Sequence, residues 1–248
     1  MASGRCLHRR LPPLLPQEAP RRHAHRAAHH GAEGAGVVAQ LGRDLAHGRA
    51  RRRQGHGLPH DPFNAIVGPR PIGWISTCNA QGAANLAPYS FFNAFNYVPP
   101  IVGFASIGLK DTVRNVQATG EFVWNLATRD LAEAMNTTCA AVPPEVDEFV
   151  LAGLTPRAST LVRPPRVAES RVTFECRCTQ VQQLHGADGT AVDTWLVLGE
   201  VVAVHIDKAL LRDGIYDTAN AGHILRAGGP ADYFTVGPEQ LFKMHRPR

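Results

Sequence analysis

RPIGWISTCNAQGAANLAPYSFFN, residues 70–93, decides how the rest of the chain is read. Its first arm, Ile72 to Cys78, carries Ile, Trp and Thr, which suit a pleated, half-buried surface. Asn79 to Gly82 supplies turn residues, and Gly82 can take positive φ without a Cβ clash. The pattern predicts a hairpin. The second arm, Asn85 to Phe92, is irregular for a core strand: Asn85, Ser90 and Asn93 interrupt the apolar run. Pro88 also lacks a backbone donor, and proline is tolerated in sheets only at edges, bulges or strand starts. The chain is therefore expected to leave the ladder here, freeing backbone groups around Ala87 to Tyr89. Ser76, Thr77, Asn85 and Ser90 would offer hydroxyls and amides beside Trp74, Tyr89, Phe91 and Phe92. Such a lining suits a planar aromatic ligand with polar edges.

Downstream, Tyr97 to Pro100 reads as a loop, because its two prolines exclude helix. Ile101 to Ile107 reads as a buried strand. Gly108-Leu109-Lys110-Asp111 then leads into a predicted helix over 112–119, with Val113 and Val116 on one side, Asp111 as cap and Gly120 at the C′ position. A helix start leaves N–H groups unbonded and favours an anion; Lys110 would add a charge and Thr112 a hydroxyl. The alternative is an ordinary capped surface helix with a solvated lysine. Glu121 to Ala127 follows as a strand with Phe122, Trp124 and Leu126 on one face. Thr128 is expected to cap a helix reaching Thr138. Pro143-Pro144 is expected to open another, reaching Leu151 with Val146, Phe149 and Val150 toward the core. Thr155 to Pro165 is Pro-rich and extended, suited to wrapping the outside of the domain or a partner subunit. Val172, Phe174, Cys176 and Cys178 share one face of a long strand whose partner runs from Trp195 to Ile206. The two cysteines read as small buried hydrophobes, since no His or further Cys stands at metal-site spacing, and no metal is expected.

Composition narrows the class. No apolar run reaches the ~18–20 residues a membrane helix needs. Five cysteines (Cys6, Cys78, Cys139, Cys176, Cys178) without a C-x-x-C pair suggest a reduced, cytoplasmic protein. The net charge of +5 is unevenly spread: residues 1–60 hold 11 Arg against Glu18, Glu33 and Asp44, so the +5 overall less this +8 leaves −3 for the remainder. A nucleic-acid footprint does not follow from the basic pI. Residues 1–60 have no aromatic residue and no sustained period, and they are expected to be disordered. Eight His and no Lys among so many Arg also look like coding sequence read from a wrong start. A basic arm or an Arg-rich targeting peptide are the other readings.

Taken together, RPIGWIST, the hairpin glycine, NLAPYSFFN, Pro99-Pro100, Lys110-Asp111-Thr112 with Asn115, Gly120-Glu121-Phe122 and Gly199-Glu200-Val201 resemble the flavin reductase-like, FMN-binding split-barrel family. The resemblance runs from about Asp61 to Pro247. It implies a single mainly β domain over 61–248, a six-stranded Greek-key barrel with short peripheral helices, usually a homodimer. It implies FMN as cofactor, held by Trp74, Ser76, Thr77, Asn85, Ala87, Pro88, Tyr89, Ser90 and Phe92 at the ring and ribityl chain. Lys110 and Thr112 would hold the phosphate, with Asp111 and Asn115 also counted as cofactor-binding. Shorter members carry a Gly-Asp-His triplet before the Gly-Glu-Val strand, its His near the nicotinamide; here Asp193-Thr194 stands in that place and the His is absent. His223 is the residue that could take over its place, and His205 reads as structural or exposed. No catalytic acid or base is assigned, because hydride passes from NAD(P)H to the flavin. The function implied is an NAD(P)H:FMN oxidoreductase, the possible partner of a flavin-dependent monooxygenase. An FMN carrier or sensor without turnover is the alternative.

Overall fold

The computed structural model describes residues 62–247; the expectations for residues 1–60 lie outside them. A short helix α1 (Phe63–Ile66) precedes β1 (Arg70–Pro71), β2 (Gly73–Cys78), β3 (Ala84–Tyr89), β4 (Phe92–Asn96) and β5 (Ile101–Ile107). Helix α2 (Asp111–Thr119), β6 (Glu121–Asn125), α3 (Ala132–Thr137) and α4 (Glu148–Leu151) follow. Two short strands, β7 (Pro156–Arg157) and β8 (Arg166–Val167), pair across a loop, and β9 (Val172–His185) and β10 (Ala191–Ile206) form the long hairpin. The chain ends with β11 (Leu211–Arg212), β12 (Ile215–Tyr216), β13 (Ile224–Arg226) and β14 (Tyr233–Thr235).

Seven strands form one antiparallel sheet in the order β3-β2-β6-β9-β10-β5-β4, the expected six with short β4 added at one edge. The sheet curls into a half-barrel: Tyr89 on edge strand β3 lies 4.7 Å from Phe104 on β5, near the opposite end of the strand order. Phe104 meets Phe122 edge-on at 5.6 Å, and the two valines of α2 close one end of this core. The predicted faces hold. Phe122, Trp124 and Leu126 point inward with Val172, Cys176 and, more peripherally, Phe174 and Cys178. Burial pushes the Cys176 thiol far up, so it stays protonated and inert. A second apolar cluster lies on the other face of β2, where Trp74 and Leu86 pack with Met135 of α3, Phe149 of α4 and Ile224 of β13.

Several local expectations are corrected. Pro88 does not break the ladder: β3 runs unbroken, with Pro88 opposite Trp74. The cause is its place on an edge strand. Leu86 N–H points to the open edge, where it donates to Glu148 Oε2 at 3.2 Å; Pro88, two residues on, turns its donorless nitrogen the same way. Ala87 and Tyr89 remain paired with Ile75 and Gly73, so their backbone is not freed. Asp111 does not cap α2. Lys110 is the N-cap, its side chain not capping the helix, and Asp111 is the first helical residue, paired with Arg114 at 3.0 Å. Gly120 does take the left-handed C-cap, at φ 72°. Thr128 bonds Asp130 instead of capping α3, which starts at Ala132. The segment after Pro143-Pro144 turns helical only at Glu148, capped by Asp147, whose carboxylate accepts from Phe149 N–H at 2.8 Å. Phe149 is buried as expected, but Val150 is exposed and Glu148 is buried in its stead.

Thr155 to Pro165 does wrap the outside of the sheet, held by side chains from the outward faces of the strands. The buried Glu175 carboxylate accepts from Thr160 N–H at 2.7 Å and Leu161 N–H at 2.6 Å, Glu121 accepts from Arg163 N–H at 2.9 Å, and Ser76 donates to the Pro165 carbonyl.

Candidate flavin-binding site

Cross-strand pairing on β2 and β3 sorts the candidate residues by face. Thr77 stands opposite Asn85, Ile75 opposite Ala87 and Gly73 opposite Tyr89, and this face meets α2. Ser76 opposite Leu86 and Trp74 opposite Pro88 take the other face, because adjacent strand residues point to opposite sides. Trp74 Nε1 donates to Thr138 Oγ1 at 3.1 Å there. The structure thus brings Thr77, Asn85, Thr112 and Asn115 together and places Trp74 and Ser76 away from them.

The gathered group is a buried amide–hydroxyl network. Asn85 Nδ2 donates to Thr112 Oγ1 at 2.9 Å and to Thr77 Oγ1 at 3.4 Å, and Asn115 Nδ2 donates to Thr77 Oγ1 at 3.1 Å. Thr77 and Thr112 are essentially inaccessible and Asn85 nearly so. Both hydroxyl oxygens therefore act as acceptors toward amides, and neither hydroxyl proton has an acceptor among the described residues. A buried donor without a partner is costly, so the arrangement is suited to a ligand that brings acceptor oxygens.

The β5–α2 turn adds charge. Lys110 is buried, its Nζ 5.9 Å from the centre of the Tyr89 ring. The first intrahelical bond closes on the Lys110 carbonyl from Arg114 N–H at 2.9 Å, so the N–H groups of Asp111, Thr112 and Val113 precede the α2 ladder. This end of the barrel therefore combines a cation, two hydroxyl donors and a helix start, a donor set that fits a phosphate monoester with a polyol chain. The turn is tied to the β9–β10 hairpin: Gly108 N–H donates to the Asp193 carbonyl at 2.9 Å and Thr194 pairs with Ile107.

The other candidates are more scattered. Ser90 offers its carbonyl to Arg70 Nε at 3.0 Å, and the Arg70 guanidinium also lies over Phe91 at 5.5 Å. Phe92 stacks on Trp124 at 5.6 Å and lies across Gly73, where a Cβ would come 2.9 Å from the ring. His223 is half-buried, its Nε2 3.0 Å from the Tyr216 hydroxyl, and burial lowers its pKa, keeping the imidazole neutral. It bridges Thr128, beyond the Gly73 end of β2, so a strand length of about 15–20 Å separates it from Thr77. His205 is structural, 2.6 Å from Glu175 Oε1.

A family model described as the flavin reductase like domain matches residues 68–223. The chain belongs to the flavin reductase-like family. Its relatives there include an uncharacterised protein of Aquifex aeolicus, 38% identical over 155 residues, which span 60% of this chain and 76% of that protein. Among solved structures, nitrilotriacetate monooxygenase component B from Bacillus cereus superposes with a TM-score of 0.68 at 30% identity, covering 73% of this chain and 90% of that one. Flavoredoxin of Desulfovibrio vulgaris, at 22% identity, TM-score 0.62 and coverage of 71% and 91%, shares the fold. The fold is therefore that of the split-barrel flavoproteins.

Two features escaped the sequence reading. Glu148, which takes up the open-edge Leu86 N–H, was not singled out; its place between Asp147 and Phe149 was the available signal. Tyr216, the partner of His223, gave none, because their meeting depends on the β11–β12 turn.

Proposed function

We propose that this protein binds FMN and passes a hydride to it from NAD(P)H, serving as the reductase component for a flavin-dependent monooxygenase. The observation that carries the reading is the pair of buried hydroxyls, Thr77 and Thr112, both set as donors by Asn85 and Asn115 beside Lys110. In a flavin reductase-like chain, the acceptors they await are phosphate and ribityl oxygens. FMN, when bound, supplies the hydride-accepting ring, so the protein needs no acid or base for that step. Lys110, Thr112 and the backbone N–H of Asp111 fix the phosphate end, with Asn115 setting the Thr77 hydroxyl beside it. Thr77 and Asn85 continue toward the ring, which lies along Ala87–Phe92 with Trp74 and Ser76 supporting the hairpin from behind. We assign His223, neutral and a strand length away, to the nicotinamide side of an extended arrangement. A homodimer fits the exposed Phe95, Tyr97 and Val98 at the β4–β5 turn. A cytoplasmic location is proposed from the free thiols of Cys78, Cys176 and Cys178, although Cys139 is disulfide-bonded, which corrects the expectation of a wholly reduced chain.

Anaerobic addition of NADH or NADPH to protein reconstituted with FMN tests this. Bleaching of the oxidised flavin band within seconds to minutes is expected. Stable FMN binding without bleaching by either nucleotide refutes the reductase role and leaves an FMN carrier or sensor. That second reading is favoured by one observation: Asp193-Thr194 occupies the triplet's place, with no imidazole on that strand segment.

A further inference from the structure

A cavity of about 390 Å³ opens between α3 and the β13–β14 hairpin. Its floor, Met135 and Ile224, belongs to the apolar cluster on the Trp74 face of β2, opposite the face of Thr77 and Asn85. It is therefore separate from the amide–hydroxyl network. The volume falls within the ~300–1,000 Å³ of small-molecule sites, toward the small end.

The walls are stiff and polarised. Arg226, itself buried, donates to the carbonyls of Asp232 at 2.6 Å, Pro230 at 3.0 Å and Ala227 at 3.2 Å, and its guanidinium lies 5.0 Å from the Tyr233 ring. That fixes the loop bearing Ala231 and the ring of Tyr233, both of which line the cavity. Burial raises the Tyr233 pKa, so its hydroxyl stays neutral. Arg226 is committed to this task; the cation facing the cavity is Arg129. Glu133 lines the same cavity, and neither group makes a side-chain hydrogen bond or ion pair with any described residue. Arg129 lies before α3 and Glu133 in its first turn, and both side chains are exposed. The rim therefore carries one positive and one negative group above an apolar floor. A simple carboxylate would be repelled by Glu133, and a simple amine by Arg129.

We propose that this cavity binds a small zwitterion with an apolar side chain, an amino acid or close analogue, carboxylate on Arg129, ammonium on Glu133 and side chain against Met135 and Ile224. Isothermal titration of the full-length, FMN-treated protein tests this with three probes: L-phenylalanine, 3-phenylpropionate, which lacks the ammonium, and phenethylamine, which lacks the carboxylate. Saturable one-site binding of phenylalanine is expected, with each analogue weaker by about tenfold, the loss of one charge-assisted contact. Arg129→Ala and Glu133→Gln should each weaken phenylalanine by about tenfold. Ala231→Trp, at an exposed position, should fill the cavity and abolish binding with FMN uptake unchanged. Absence of saturable phenylalanine binding overturns the proposal. So does equal binding of either analogue, or binding indifferent to all three substitutions.

Discussion

Thr112→Val is the sharpest probe of the flavin site, because it keeps the side-chain shape and removes one hydroxyl. In the apo protein, Asn85 Nδ2 loses its 2.9 Å acceptor and retains only the 3.4 Å contact to Thr77. A buried amide left short of a partner costs about 1–3 kcal/mol, or a fall in Tm of roughly 4–8 °C at about 2 kcal/mol for a domain of this size. The second effect is on the ligand. If the Thr112 hydroxyl donates to phosphate, its loss weakens FMN by about tenfold, the lower range for a hydrogen bond to a charged group. With FMN at 100 times the wild-type Kd, binding stabilises the native state by about 2.7 kcal/mol; a tenfold weaker variant gains about 1.4. Differential scanning fluorimetry with and without FMN separates the two: apo Tm should fall, and the FMN-induced rise should shrink to about half. A variant with lowered apo Tm and the full FMN-induced rise would show that Thr112 only supports Asn85, and the phosphate assignment would fail.

Lys110→Ala should weaken FMN more at low than at high ionic strength, since ions screen a charge–phosphate contact; equal loss at all salt concentrations, by fluorescence quenching of free FMN, contradicts it. Burial pushes Glu175 up, but the N–H groups of Thr160 and Leu161 and the His205 ring outweigh it and hold the carboxyl below its ordinary value. Its stabilisation is thus present above the unfolded carboxyl value of about 4.3 and is lost as pH falls through the folded one. The exchange protection factors of Thr160 and Leu161 should fall across that acid window, and Glu175→Gln should remove the dependence; protection flat from pH 6 to 3 would refute the link. A Cβ at Gly199 would overlap the Phe122 ring, so Gly199→Ala should cost about 1–3 kcal/mol in urea denaturation.

The architecture was legible wherever period and punctuation agreed. Ile101 to Ile107 begins and ends as read, Gly82 and Gly120 take their positive φ, and the inward set on β9 follows strict alternation. Helix boundaries after β6 were less so. Thr128 and Pro143-Pro144 are good local start signals, but each competes with a tertiary partner. Thr128 turns to Asp130, and the chain waits for Asp147 before coiling. Val150 loses its expected core place because the four-residue α4 turns Glu148 and Phe149 inward, Glu148 being drawn to a backbone donor on β3.

Proline at position 88 explains why the site was half legible. From sequence, a donorless residue amid apolar neighbours signals a broken ladder, and polar residues on both sides then read as one binding surface. The structure removes the break: on an edge strand, the missing N–H falls on the unpaired side, so the ladder and its alternation continue through Pro88. Continuity forces Ser76 and Thr77 to opposite faces, one tying down the 155–165 strap and the other joining Asn85 and Thr112. Residue type identified the polar groups, but only edge position could assign them to a side. The partition carries its own consequence: Ser76→Ala should loosen the strap with little effect on the hydroxyl pair, whereas Thr77→Val should disturb Asn85 and Asn115 together. Equal effects of the two substitutions on FMN affinity would mean that the faces are not independent, and that the ligand reaches around the hairpin edge.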